Sequence, residues 1–215
     1  VQFTVDRDDG KTVKINASEY QALQYGYAMT GHKAQGMTVK QAYYLPAGHA
    51  SLQSFYVAYT RGIQKQGDGE CRAESVAKHY MGFHQSEGGI HGTVCSIPER
   101  LLREVYGLPF QAAIAEENLR GVMPCYCSIG GEPVSASEHL LTQILRQEMG
   151  FDGVAVADYS AVSNVHHTQK LYETEAEAGL ACRSAGMDVE LPDTVCFNEE
   201  MKAMFINVRP MIKTN

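Results

Sequence analysis

The stretch LLTQILRQEMGFDGVAVADYSAV, residues 140–162, places two hydrophobic periods either side of a glycine turn. Leu140, Leu141, Ile144 and Leu145 recur at the three- and four-residue spacing of one helical face, with Ser137 ahead of them as an N-cap and Gly150 behind as a stop. Gly153 to Ala157 is then an unbroken apolar run, the form of a strand buried on both faces, and it leads directly into a carboxylate, Asp158. Helix, turn, buried strand and a polar residue at the strand's C-terminal end make one repeat of a βα architecture around a parallel sheet. In such sheets the loops at that end line the open mouth.

The alternation continues outward from this repeat. Ser75 to Tyr80 reads as a strand, and Pro98 to Glu117 as one helix with Leu101, Leu102, Val105, Leu108, Ala112 and Ala113 at helical spacing. Gly121 to Tyr126 is another strand, and Glu173 to Ala185 another helix closed by Gly186. The expectation is a mixed α/β chain containing a partial (β/α) barrel of about three βα units. A small β-rich segment precedes it: VQFTVDRDDGKTVKI alternates apolar and polar residues around Asp9-Gly10 as a hairpin does, a β-prone run follows at Gln41 to Leu45, and Ser51 to Arg61 suits a short helix. GIQKQGDGE, residues 62–70, has no apolar pattern and marks the joint, so the chain divides into 1–62 and 63–215.

A net charge of −7 over 215 residues gives no general electrostatic reason to bind nucleic acid or an anionic membrane. The six cysteines include no CxxC pair, which points to reduced thiols and to neither a metal site nor a cofactor. No apolar run approaches the roughly 18 residues of a membrane span, and the first residues lack the order of a signal peptide, so a cytoplasmic location is expected. The chain opens on Val1, which suggests a piece of something longer. Half a barrel would also expose strand edges and apolar faces, with self-association as the expected consequence.

The polar residues at the strand ends are Lys78 and His79, Tyr126, and Asp158. An ionisable pair, a phenol and a carboxylate on one rim could bind the hydroxyls of a sugar and attack its anomeric carbon. Each has a plainer reading by itself: Asp158 as a helix cap or solvated loop acid, Lys78 and His79 as a surface pair, Tyr126 as a core aromatic.

Read in order, AYTRGIQ (58–64), VAKHYMGFHQSEGG (76–89), PERLLREVYGLPFQAAI (98–114), GVMPCYCSIGGEPVSAS (121–137), the 140–162 stretch and AGMDVELP (185–192) resemble family 3 of the glycoside hydrolases, in the second half of its barrel. The resemblance covers about residues 53–192. It implies a retaining hydrolase of β-linked glucosides or xylosides, with Asp158 at the nucleophile position, Lys78 and His79 at the pair that holds sugar hydroxyls, and Tyr126 at an aromatic of the same subsite. The resemblance also implies an aspartate and an arginine on earlier strands, which nothing before Gln53 matches, and an acid/base carboxyl from a following domain. Little turnover by this chain alone is the expectation.

The front of the chain, YGYAMTGHKAQGMTVKQAYYLPAGHASLQSFYVAYTRG (25–62), resembles the last motifs of superfamily 1 helicases of the conjugative-relaxase kind. That likeness implies a DNA-contacting loop at His32, Lys33, Gln35, Gly36 and Thr38, and a phosphate-directed arginine at Arg61, with nucleic acid as partner under this alternative only. No GxxxxGK loop is present to supply the phosphates. The two likenesses overlap at AYTRG, as they would in a chimera.

Overall fold

The computed structural model describes residues 2–6, 12–16, 52–64 and 73–208. The chain divides into two compact units, Val1–Met37 and Thr38–Asn215. In the first, β1 (Gln2–Asp6) pairs antiparallel with β2 (Thr12–Asn16), Gln2 opposite Asn16 and Asp6 opposite Thr12, which is the anticipated hairpin. The run 41–45 lies outside the described residues.

In the second unit the strands are β3 (Val76–Tyr80), β4 (Val94–Cys95), β5 (Gly121–Pro124), β6 (Ser128–Ile129), β7 (Glu132–Pro133) and β8 (Val154–Ala155). β3, β5 and β8 form a parallel sheet in that order, and a parallel bridge from Val156 to Val189 extends it by one more line of chain. Register explains the two faces. Ala77, Val122 and Ala155 stand in one row and are buried at 8%, 0% and 0% exposure under the helices. The neighbouring row is Val76, Gly121 and Val154, with both valines more than 40% exposed, so the opposite face of the sheet is open.

The joint placed between 62 and 63 from sequence falls inside α1 (Leu52–Gln64), which lies in the second unit and packs on α2 (Leu108–Glu117). Tyr56 meets Phe110 edge-on at 5.2 Å. The buried Gln64 amide donates to the carbonyls of Glu117 and Asn118, both at 3.1 Å, and its oxygen accepts from the Ser75 hydroxyl at 3.1 Å. A buried amide must be satisfied in this way, and here that need fixes how α1 leads into β3.

The single helix expected over 98–117 is instead broken. A turn at Glu99–Leu101 continues as wider π-type turns over Leu102–Tyr106, and α2 starts afresh at Leu108. Pro109 is the reason: it has no N–H to donate and its ring would strike the carbonyl four residues back, so the helix restarts with proline in its first turn. The next helix, α3 (His139–Glu148), follows Ser137 as expected but is wound in the wider π-type turns, and the Ser137 hydroxyl accepts the Leu140 N–H at 3.3 Å. Leu140, Leu141, Ile144 and Leu145 are all buried. Two further helices, α4 (Ala161–His167) and α6 (Glu199–Val208), and the small β4–β6–β7 sheet were not anticipated. Between the two helices, α5 (Glu175–Ala185) opens on a complete capping box, Thr174 with Glu177, and closes on Gly186 at φ 119°.

Among the described residues no helix is long and apolar enough to cross a membrane, and no cluster of His, Cys, Asp and Glu has the arrangement of a metal site. Cys95, Cys125, Cys127, Cys182 and Cys196 are buried free thiols, while Cys71 lies outside the described residues.

Tyr80 ends β3 fully buried, and its hydroxyl donates to the Leu140 carbonyl at 2.9 Å, fastening the strand to α3. Tyr80→Phe removes this bond while the Leu140 carbonyl keeps its partner within the helix, and is expected to cost about 0.5–1.5 kcal/mol in a urea unfolding measurement. An unchanged midpoint would show that the bond contributes nothing.

Candidate active site

The end of β3 is irregular. Lys78 pairs with Met123 and Tyr80 with Pro124, so two steps of β3 span one step of β5 and His79 is the extra residue. A bulge of this kind re-aims side chains at a strand end. Lys78 and His79 lie within the last three residues of β3, because the bulge lets pairing resume at Tyr80. Their shared peptide bond is cis.

His79 is brought to Asp158, which lies three residues beyond β8. The imidazole Nε2 is 3.0 Å from one carboxylate oxygen, with the two side chains 24% and 18% exposed. The other oxygen accepts the N–H of Tyr159 at 2.8 Å. Asp158 is therefore not a helix cap: the cap of α4 is Ser160, without a side-chain capping bond, and the Asp158 carboxylate turns to the strand instead. Tyr126 stands two residues beyond β5, partly buried, and its hydroxyl donates to the Tyr159 carbonyl at 2.8 Å. Burial first, then the charge of Asp158 beside it, push this phenol up to about 12.

The structure thus gathers His79, Tyr126 and Asp158 into one contact group. Lys78 lies exposed beside it, close enough that its charge, after burial, helps hold the His79 imidazole below its ordinary value; Asp158 opposes both. A neutral imidazole can give one directed hydrogen bond, and a carboxylate held by two donors is fixed in orientation while keeping lone pairs free.

The loop carrying Asp158 is set from behind by residues to which the sequence reading gave no role. Arg146 on α3 pairs with Asp188 at 2.6 Å, and the same Asp188 oxygen accepts the Ala155 N–H at 2.9 Å. Glu190, only 6% exposed, accepts the N–H groups of Cys196 and Phe197 at 3.0 and 2.7 Å. Both acids lie in AGMDVELP, where their two-residue spacing was the available signal. Tyr159 was also missed, since its part is played by backbone groups. A hollow of about 370 Å³ lined by Val94, Cys95, Ile97 and Gly130 shares no residue with this group.

Of the helicase-like positions, Arg61 pairs with Glu117 at 3.5 Å within the α1–α2 packing. His32, Lys33, Gln35, Gly36 and Thr38 lie outside the described residues.

The chain is similar in sequence and fold to known proteins. Residues 48–212 match the model of the glycosyl hydrolase family 3 N terminal domain. A β-xylosidase of Formosa agariphila is 36% identical over 138 residues, which is 63% of this chain and 19% of that protein. A β-glucosidase of Rhizobium radiobacter is 32% identical over 136 residues, 63% of this chain and 14% of its own length. Among solved structures, a β-glucosidase from Erythrobacter marinus superposes with a TM-score of 0.65 at 28% identity, over 74% of this chain and 21% of that one. The chain therefore spans about a fifth or less of the relatives it matches.

The charge relations at His79 have a definite sign. Its folded-state value lies below the ordinary 6.5, so as pH falls the unfolded chain takes up this proton first; the group leaves stability untouched well above pH 6.5 and lowers it progressively as pH falls below. Lys78→Met is expected to raise the His79 midpoint, and Asp158→Asn to lower it further, in an NMR titration of the ring protons. Shifts of the opposite sign would refute the arrangement.

Proposed function

Because this chain belongs to family 3 of the glycoside hydrolases through the family's N-terminal domain, we propose that it carries the nucleophile side of a retaining β-glycosidase acting on β-linked glucosides or xylosides. The observation that carries the reading is the Asp158 carboxylate, beyond the C-terminal end of a parallel strand, 3.0 Å from His79 and beside the Tyr126 hydroxyl. In the proposed reaction Asp158 attacks the anomeric carbon while the leaving oxygen takes a proton from an acid, and water then releases the sugar from the carboxylate. Lys78 and His79 hold sugar hydroxyls, and Tyr126 lies at the same subsite. The family resemblance assigns the acid to a carboxyl of a following domain, so slow turnover by this chain alone belongs to the proposal.

The helicase-like reading of 1–62 makes nucleic acid the rival partner. It rests on motif likeness, and residues 48–62 fall within the family 3 match as well.

An activated 2-fluoro glycoside needs no acid to expel its leaving group. It is expected to add one glycosyl mass to the peptide containing Asp158, and not to do so in Asp158→Asn. No adduct on the wild-type chain, together with salt-sensitive retention of single-stranded DNA, would favour the rival.

The open row of Val76 and Val154, with Val189 at 38% exposure on the next line of chain opposite Val156, supports self-association as part of the same proposal. Sedimentation at micromolar concentration is expected to show species larger than 23.6 kDa, and Val154→Lys to reduce them. A monomer at all concentrations would reject this part.

A further inference from the structure

The loop after β3 carries rings that the proposed chemistry leaves without a task. His79 stacks on Phe83 with centroids 4.9 Å apart and planes 27° from parallel. Phe83 meets His91 edge-on at 5.2 Å, and His91 meets Tyr126 edge-on at 4.9 Å. Since Tyr126 bonds to the Tyr159 carbonyl, and Tyr159 to Asp158, which holds His79, these contacts form a closed circuit around the site.

The loop is itself firmly held. Three buried thiols donate to three successive carbonyls at its start: Cys125 to Met81 at 3.2 Å, Cys95 to Gly82 at 3.4 Å and Cys127 to Phe83 at 3.8 Å. Further along, the Thr93 hydroxyl bonds to the Glu87 and Ile90 carbonyls, both at 3.0 Å. An anchored backbone can therefore transmit a position from Phe83 to His91.

We propose that Phe83 and His91 are positioning residues, whose rings bridge His79 on β3 to Tyr126 beyond β5 and so set both side chains around Asp158. The physical need is clear at each end. His79 presents Nε2 to Asp158 only at one ring orientation, which stacking on Phe83 selects. Tyr126 follows a strand that ends at Pro124, and an edge-on ring at its flank limits where its hydroxyl can go. The inference rests on reading His79 and Tyr126 as sugar-binding groups, yet its test needs no sugar.

The measurement is the phenol titration of Tyr126 and the imidazole titration of His79, followed by NMR in the whole chain. In His91→Ala the Tyr126 midpoint is expected to fall from about 12 toward the ordinary 10.0, because water replaces the ring that shields it. His91→Phe keeps a ring there and should leave the Tyr126 midpoint near its wild-type value, as should His84→Ala, whose ring touches Phe83 outside the bridge and whose charge acts on His79 alone of the two. Phe83→Ala should raise the His79 midpoint toward 6.5. A purely structural role would lower the melting temperature and leave the midpoints in place. A folded His91→Ala chain with Tyr126 unmoved overturns the proposal. If that variant does not fold, cross-relaxation between the His91 and Tyr126 rings of the wild type decides: its presence supports the bridge and its absence overturns it. Failure of the glycosidase reading would appear separately, as an unlabelled Asp158 with the ring-dependent shifts intact.

Discussion

The ion pair between Arg146 and Asp188 governs the placing of β8, and through β8 that of Asp158. β8 is only two residues long, too short for its own ladder to satisfy the chain around it. The guanidinium meets this need by donating to the Gly153 and Gly186 carbonyls at 3.2 and 3.0 Å while gripping Asp188, whose oxygen accepts from Ala155. One residue on α3 thus joins the start of β8 to the following line of chain. The Ala157 N–H then bonds to the Val189 carbonyl at 2.8 Å and fixes the residue just before Asp158. With side chains about a quarter to a third exposed, the pair matters more for register than for net stability.

That register permits close approach elsewhere. A Cβ on Gly153 would lie 2.2 Å from the Arg120 carbonyl oxygen, so the turn into β8 can press against the chain entering β5 only as glycine. The two strands run side by side, and Tyr126 and the Tyr159 backbone meet beyond their ends. Charge is balanced within the resulting group. Lys78 and Asp158 act on His79 with opposite sign, and Asp158 in turn holds the Tyr126 proton in place. These couplings make the four side chains one electrostatic unit rather than four separate contacts.

The sheet that supports this unit has one covered face and one open face. Helices bury the row of Ala77, Val122 and Ala155, whereas the row of Val76 and Val154 has no comparable cover among the described residues. A continuously apolar strand has two faces to bury, and a partial barrel supplies a partner for only one of them. The proposed retaining reaction needs two carboxyl groups, and the group around Asp158 supplies one of them.

Much of this was legible in residue order. The period of Leu140, Leu141, Ile144 and Leu145 gave a buried helical face, and the apolar runs before Lys78, Tyr126 and Asp158 gave parallel strands, because burial imposes those periods on any sequence that folds this way. The break at Gly107 before Pro109 was equally present in the sequence, and the helical spacing on either side concealed it. What sequence could not give is which groups face one another. That His79 lies against Asp158, that His91 touches Tyr126, and that Arg61 serves a packing contact with Glu117 each depend on elements far apart in the chain. Residue order alone carried the main helices, the parallel strands and the residue types at the strand ends, since these follow from local period, while α4, α6 and the β4–β6–β7 sheet have no such period to read. The constellation came from the fold, because hydrogen bonds and ring contacts form between neighbours in space, and sheet register rather than chain order chooses those neighbours.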